Sequence, residues 1–143
     1  MHIKSIVLAA VASLALSGAA LAAEVEVQML NKGETGAMVF QPEVVKIAPG
    51  DTVVFKATDA GHNAETIKGL LPDGAEAFAG KMGKDVSVTF DKEGVYGVKC
   101  KPHVSMGMVA VVVVGEPVNL DAAKGVKVPG KGGKKMSALL GDL

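Results

Sequence analysis

Four sulfur and nitrogen donors crowd one short stretch, Tyr96-Gly97-Val98-Lys99-Cys100-Lys101-Pro102-His103-Val104-Ser105-Met106-Gly107-Met108. Cys100 is the only cysteine of the chain. Thiolate and thioether ligands select copper, and imidazole suits it as well. The run C-x-x-H-x-x-x-x-M gives three donors, too few for a closed site, so another must come from elsewhere. Apart from His2 the chain has one further histidine, His62, in Gly61-His62-Asn63-Ala64-Glu65. His62, Cys100 and His103 with one weaker Met make a trigonal His₂Cys set with a long axial thioether, the ligand set of blue-copper electron-transfer centres. The spacing leaves that thioether open between Met106 and Met108. The rival chemistry is a thiol nucleophile activated by imidazole. Beyond Asn63 the sequence offers no amide or carboxylate to orient such a pair, and no oxyanion-type glycine loop. A copper carrier, a third possibility, wants an exposed set richer in Met or Cys.

The donors need a frame that brings residue 62 to residues 100–108. Glu24 to Met29 alternates, with Val25, Val27 and Met29 on one face. Asn31 to Gly36 reads as a polar loop, and Met38 to Phe40 opens a second extended piece that Pro42 keeps off a central ladder position. Val45 and Ile47 point inward, and Ala48-Pro49-Gly50-Asp51 suits a type II turn. Asp51 to Ala57 alternates again, and Asp59 to Pro72 is a long connection carrying His62. Asp85 to Phe90 is another alternating strand. Val95 to Lys99 leads to the cysteine, with Tyr96, Val98 and Cys100 on one face. Val109 to Val114 is unbroken β-branched and small apolar sequence, which predicts a strand buried on both sides. Short strands between turn signals, with no helical blocks among them, predict an all-β, antiparallel Greek-key sandwich. Two short helices close the chain. Asn119 is placed to cap Leu120–Lys124, which Gly125 ends, and Lys134 to Leu140 carries Met136, Leu139 and Leu140 at helical spacing. Both are expected on the sandwich edge, with Lys131, Lys134 and Lys135 as a solvated face.

Residues 1–22 are set apart. Lys4 precedes a short apolar run, Ile6 to Leu16, and Ala20-Leu21-Ala22 fits a small-x-small cleavage rule, so 1–22 reads as a signal peptide of bacterial export type. The run is too short to span a bilayer comfortably. The domain is then 23–143, in the periplasm. A lone thiol in an oxidising compartment cannot pair internally and is a liability unless buried or metal-bound. All 15 basic residues are lysines, and 15 acidic residues balance them. That balance predicts no nucleic-acid and no membrane partner.

Taken together, Gly61-His62-Asn63-x-Glu65, Gly94-x-Tyr96-Gly97-x-x-Cys100-x-Pro102-His103-x-x-Met106-Gly107-Met108, the Pro49-Gly50-Asp51 turn and the C-terminal helical pair resemble the pseudoazurins, a group of the cupredoxin family. The likeness runs from Glu24 to the end. It implies one type 1 copper ion held by His62, Cys100, His103 and Met108, with Met106 on the surface beside the copper edge. It implies that Asn63 ties the His62 loop to the Cys100 loop and aims a backbone N–H at the sulfur, and that Met38 packs on the ring of the loop histidine. Val104 departs from the aromatic usual in the family, and Ala64 from the common Val. The resemblance implies an electron carrier rather than an enzyme, a monomer whose electrons cross at the edge of His103. Around that edge an apolar patch is expected from Met38, Pro102, Val104 and Met106, rimmed by Lys32, Lys99 and Lys101 for an acidic partner. Copper nitrite reductase is the implied acceptor and a cytochrome c-type protein the implied donor.

Overall fold

A computed structural model describes residue 18 and residues 21–143. The signal-peptide reading of 1–22 therefore lies almost wholly outside the described residues. Among the described residues there are eight strands: β1 Glu24–Gly33, β2 Gly36–Gln41, β3 Val44–Ile47, β4 Asp51–Lys56, β5 Glu65–Thr66, β6 Val86–Phe90, β7 Gly94–Lys99 and β8 Val109–Val114. One sheet has the order β2-β1-β4-β6 and the other β3-β8-β7-β5. They are not purely antiparallel. β1 runs parallel to β4 and β3 parallel to β8, while the other neighbours are antiparallel. Except from β1 to β2 and from β7 to β8, successive strands lie in different sheets, and turn signals alone do not reveal which strand pairs with which.

The alternation placed the core residues correctly. Val27, Met29, Val53, Phe55, Phe90, Tyr96, Val98, Ala110, Val112 and Val114 are buried between the sheets, in one cluster with Cys100 and Met108. Aromatic rings run through it: Phe90 meets Tyr96 edge-on at 4.8 Å, and Phe55 stacks on Phe78 at 5.7 Å. Favoured ring pairs add roughly 0.5–1.5 kcal/mol each beyond burial. Tyr96 donates its hydroxyl to the Lys92 carbonyl at 2.8 Å, so its polar end is satisfied.

Every residue of β8 is buried, as its composition predicts. The helices α1 Leu120–Lys124 and α2 Gly130–Gly141 cause this. They pack on the outer face of β7 and β8, not on the sandwich edge, and Met136, Leu140 and Ala123 join Val95, Val109, Val111 and Val113 in a second core. α2 also begins four residues earlier than its apolar spacing indicates. Its first turn, Gly130-Lys131-Gly132-Gly133, has poor helix propensity, but Gly130 and Gly132 face the 103–107 loop and Gly133 the Val128 carbonyl. A Cβ on Gly132 would overlap the Val104 carbonyl oxygen, and one on Gly130 would lie 2.6 Å from the Ser105 oxygen. Asn119 stands at the N-cap of α1 without capping it. Its side chain pairs with the strand backbone instead, accepting from Val95 N–H at 2.6 Å and donating to Val95 C=O at 2.9 Å.

The stretch read as a polar loop at residues 31–36 is the end of a hairpin. β1 continues to Gly33, which pairs with Gly36 across the two-residue turn Glu34-Thr35. The pairing is interrupted at one level, between Asn31 and Met38, where Met38 takes a left-handed φ of 52°. Such a conformation is uncommon for a residue with a side chain and clusters at functional sites.

Candidate metal centre

The loop after β7 turns back at once. Cys100 N–H donates to Met108 C=O at 3.1 Å, extending the β7–β8 ladder by one rung. Between them lies a single turn of 3-10 helix, Val104–Met106, closed by Gly107 at φ 103°. His103 N–H bonds back to Cys100 C=O at 3.2 Å, and Met106 N–H and Met108 N–H both donate to His103 C=O. The loop is thus a tight knot that fixes Cys100, His103 and Met108 together. His62 arrives from the connection between β4 and β5 and is fully buried, as are Cys100 and Met108.

Three donor atoms converge. His62 Nδ1 and His103 Nδ1 are 3.1 Å apart, and Cys100 Sγ lies 3.7 Å from the first and 3.5 Å from the second. A point equidistant from all three is about 2.0 Å from each, close to protein metal–nitrogen lengths of about 2.0–2.1 Å and metal–sulfur lengths of about 2.3 Å. Among the described residues this is the group of His, Cys, Asp and Glu side chains that could hold a metal. Two soft-to-borderline nitrogens and a thiolate in one plane, with a buried thioether on the same loop, fit copper.

The surroundings orient the ligands. His62 Nε2–H donates to Asn31 Oδ1 at 2.7 Å, which leaves the Nδ1 lone pair facing the site. Burial, then the neighbouring His103, hold the His62 imidazole below its ordinary pKa, so it stays neutral and able to ligate. Burial pushes the Cys100 thiol upward, opposed by the backbone N–H groups of Asn63 and His103 at the sulfur. Without a metal the cysteine is therefore a protonated thiol, which disfavours the nucleophile reading. Asn63 joins the two loops: its Oδ1 accepts from Lys101 N–H at 2.7 Å.

Sequence reasoning missed Asn31. Its signal was the parity of β1: Val25, Val27, Met29 and then Asn31 fall on one side of the strand, although Asn31 itself is exposed. Asp59 steadies it, accepting from Asn31 N–H at 2.7 Å.

The surface residues divide. Lys32, Lys101, Pro102 and Met106 are exposed, and Met38 is half-buried against the core. Val104 is drawn partly inward, against the second core beneath α2. Lys99 is not a free outward charge, because its ammonium faces Glu65 Oε1 at 3.7 Å. Nor is the lysine row of α2 wholly solvated. Lys135 pairs with Glu43 at 3.0 Å, and Glu43 also accepts the Thr35 hydroxyl, so one carboxylate joins the hairpin tip to the helix beside the ligand loop.

Residues 27–115 match the model for copper binding proteins of the plastocyanin/azurin family. The chain is 50% identical to pseudoazurin of Paracoccus pantotrophus over 97% of both chains. The chain belongs to this copper-protein family, among the pseudoazurins. Solved pseudoazurin structures share the fold: that of Methylobacterium extorquens AM1 aligns with a TM-score of 0.79 and 52% identity over 83% of this chain and 98% of the other. That of Hyphomicrobium denitrificans aligns with a TM-score of 0.80 and 44% identity over 84% and 98%. Pseudoazurins are blue copper electron-transfer cupredoxins and not enzymes, and the donor triangle is the type 1 site of that family.

Proposed function

We propose that the chain carries single electrons in the periplasm, accepting them from a cytochrome c-type donor and passing them to a copper nitrite reductase in denitrification. His62, Cys100, His103 and Met108 hold the copper. The observation that carries this reading is the His62–Cys100–His103 triangle, already at coordination distance and locked by Asn31 and Asn63. Bound there, copper supplies the one-electron couple. The protein fixes a ligand set that neither oxidation state has to rearrange, which keeps the barrier to outer-sphere transfer low.

His103 is the half-exposed ligand, and Pro102 and Met106 lie exposed beside it. Electrons cross at that edge, over an apolar patch completed by Met38 and Val104, with Lys32 and Lys101 on the rim. Weak redox encounters use small interfaces of this kind, and a monomer presents the patch without obstruction. Met108 would supply the thioether donor, since it is fully buried while Met106 is 51% exposed.

Titration of the copper-free protein with Cu(II) tests the core of the proposal. The expected result is one equivalent bound and an intense visible band that bleaches on reduction. Colourless binding would overturn it. Stopped-flow mixing of the reduced protein with a copper nitrite reductase tests the acceptor, and absence of second-order reoxidation would remove that partner.

A further inference from the structure

Glu65 is a carboxylate that the copper reading leaves without a task. It sits in β5, opposite Lys99 of β7, which places it beside the residue that precedes Cys100. Its side chain is only 17% exposed. Oε2 accepts from the Asn63 amide nitrogen at 3.2 Å, and Oε1 faces the Lys99 ammonium at 3.7 Å. The same amide nitrogen donates to Gly80 C=O at 3.2 Å.

An asparagine amide has a donor end and an acceptor end, and a half-turn exchanges them. Here two acceptors, Glu65 and Gly80, stand on one side and one donor, Lys101 N–H, on the other. The acceptors hold the NH₂ end, so the oxygen faces Lys101. Turned around, the amide would set NH₂ against N–H and break the bond that joins the His62 and Cys100 loops.

Charge gives Glu65 a second effect. Reduction of the site adds one negative charge, so a fixed carboxylate nearby disfavours it, and a paired ammonium offsets part of that field.

We propose that Glu65 is a positioning residue of the copper centre: it orients the Asn63 amide and lowers the reduction potential, with Lys99 as its counter-charge. The field half of this rests on the copper reading above, and the positioning half does not.

Three variants separate the two halves. Glu65→Gln keeps an acceptor oxygen for Asn63 and removes the charge. It is expected to raise the potential of the copper-loaded protein with little change in the visible band. Lys99→Gln uncovers the carboxylate and is expected to lower the potential. Glu65→Ala removes acceptor and charge. In the copper-free protein, NMR hydrogen exchange at Lys101 N–H is expected to quicken about ten-fold, and copper affinity to drop roughly ten-fold, as for other groups that orient metal ligands. Unchanged exchange at Lys101 in folded Glu65→Ala would overturn the positioning role. Unmoved potentials in Glu65→Gln and Lys99→Gln, or shifts in the same direction, would overturn the field role. Wild-type protein that takes up no copper would sink the copper reading itself, while the exchange measurement still decides whether Glu65 orients Asn63.

Discussion

Two methionines two residues apart have opposite surroundings. Met108 is fully buried in the core cluster that holds Cys100, and Met106 is half in solvent. A harder oxygen donor on the axis stabilises Cu(II) over Cu(I). Met108→Gln is therefore expected to retain copper and lower its potential, whereas Met106→Gln leaves the visible spectrum in place. Spectra that respond to position 106 and ignore 108 would reverse the assignment. The donors themselves were legible in the sequence because a lone Cys, two His and a Met-Gly-Met run are rare enough to stand out. Asn31 was not, since a polar Asn beside Lys32 and Gly33 reads as loop until the strand is seen to continue beneath it. Lys99 was misjudged for a related reason. Parity sends it away from the core, but parity is silent on β5, a strand of two residues with no periodicity of its own, which brings Glu65 up against it.

Among the elements, α2 shows how a weak local signal serves a strong tertiary one. Three glycines of low helix propensity stand among its first four residues, two of them with the backbone of the ligand loop against them. Gly132→Ala forces a methyl group into the Val104 carbonyl and is expected to cost roughly 1–3 kcal/mol, as overpacking does. Gly141→Ala, whose Cβ meets nothing within 4 Å, is expected to stay within about 0.5 kcal/mol of wild type. Chemical denaturation of the copper-free proteins measures both. Strand positions and the inward face of each strand were readable from alternation. The parallel β1–β4 and β3–β8 pairings and the seat of the helices were not, because they depend on which surfaces remain uncovered once the sheets have formed.

At the scale of the whole molecule, two carboxylates bind the ends of strands. Asp51 accepts from Ala23 N–H at 2.8 Å and Ala48 N–H at 2.9 Å, and these bonds hold it below the ordinary carboxyl value of 3.8. Asp85 is held low by Ala57 N–H and by Lys56. The folded chain thus binds these protons less readily than the unfolded chain. Their contribution to stability is complete above the ordinary carboxyl range and disappears as pH falls through the lowered folded values. Melting temperature is expected to drop on the acid side of about pH 4, and Asp51→Asn is expected to show a smaller drop. Equal slopes for the two proteins would rule Asp51 out. Recognition belongs to this scale as well. Lys101, exposed beside Pro102, is the better test of steering now that Lys99 is paired. Lys101→Glu is expected to slow electron transfer to an acidic partner at low salt, with the difference shrinking as ionic strength rises, since screening acts over about 8 Å at physiological salt. A rate equal to wild type at every salt concentration would make Lys101 a bystander.

The burial pattern of the four ligands also bears on how a metal enters. His62, Cys100 and Met108 have no exposed surface, and of the four the ring of His103 alone reaches solvent. Hydrogen bonds from Asn31 to the His62 ring and from Lys101 N–H to Asn63 join the segments that carry the ligands. For apoprotein that has already folded, the His103 imidazole is the door. Copper uptake by folded apoprotein is expected to follow the turning of that ring rather than any unfolding of the sandwich. It should accordingly be far less sensitive to mild denaturant than global unfolding is, a difference that uptake kinetics at several urea concentrations will read directly.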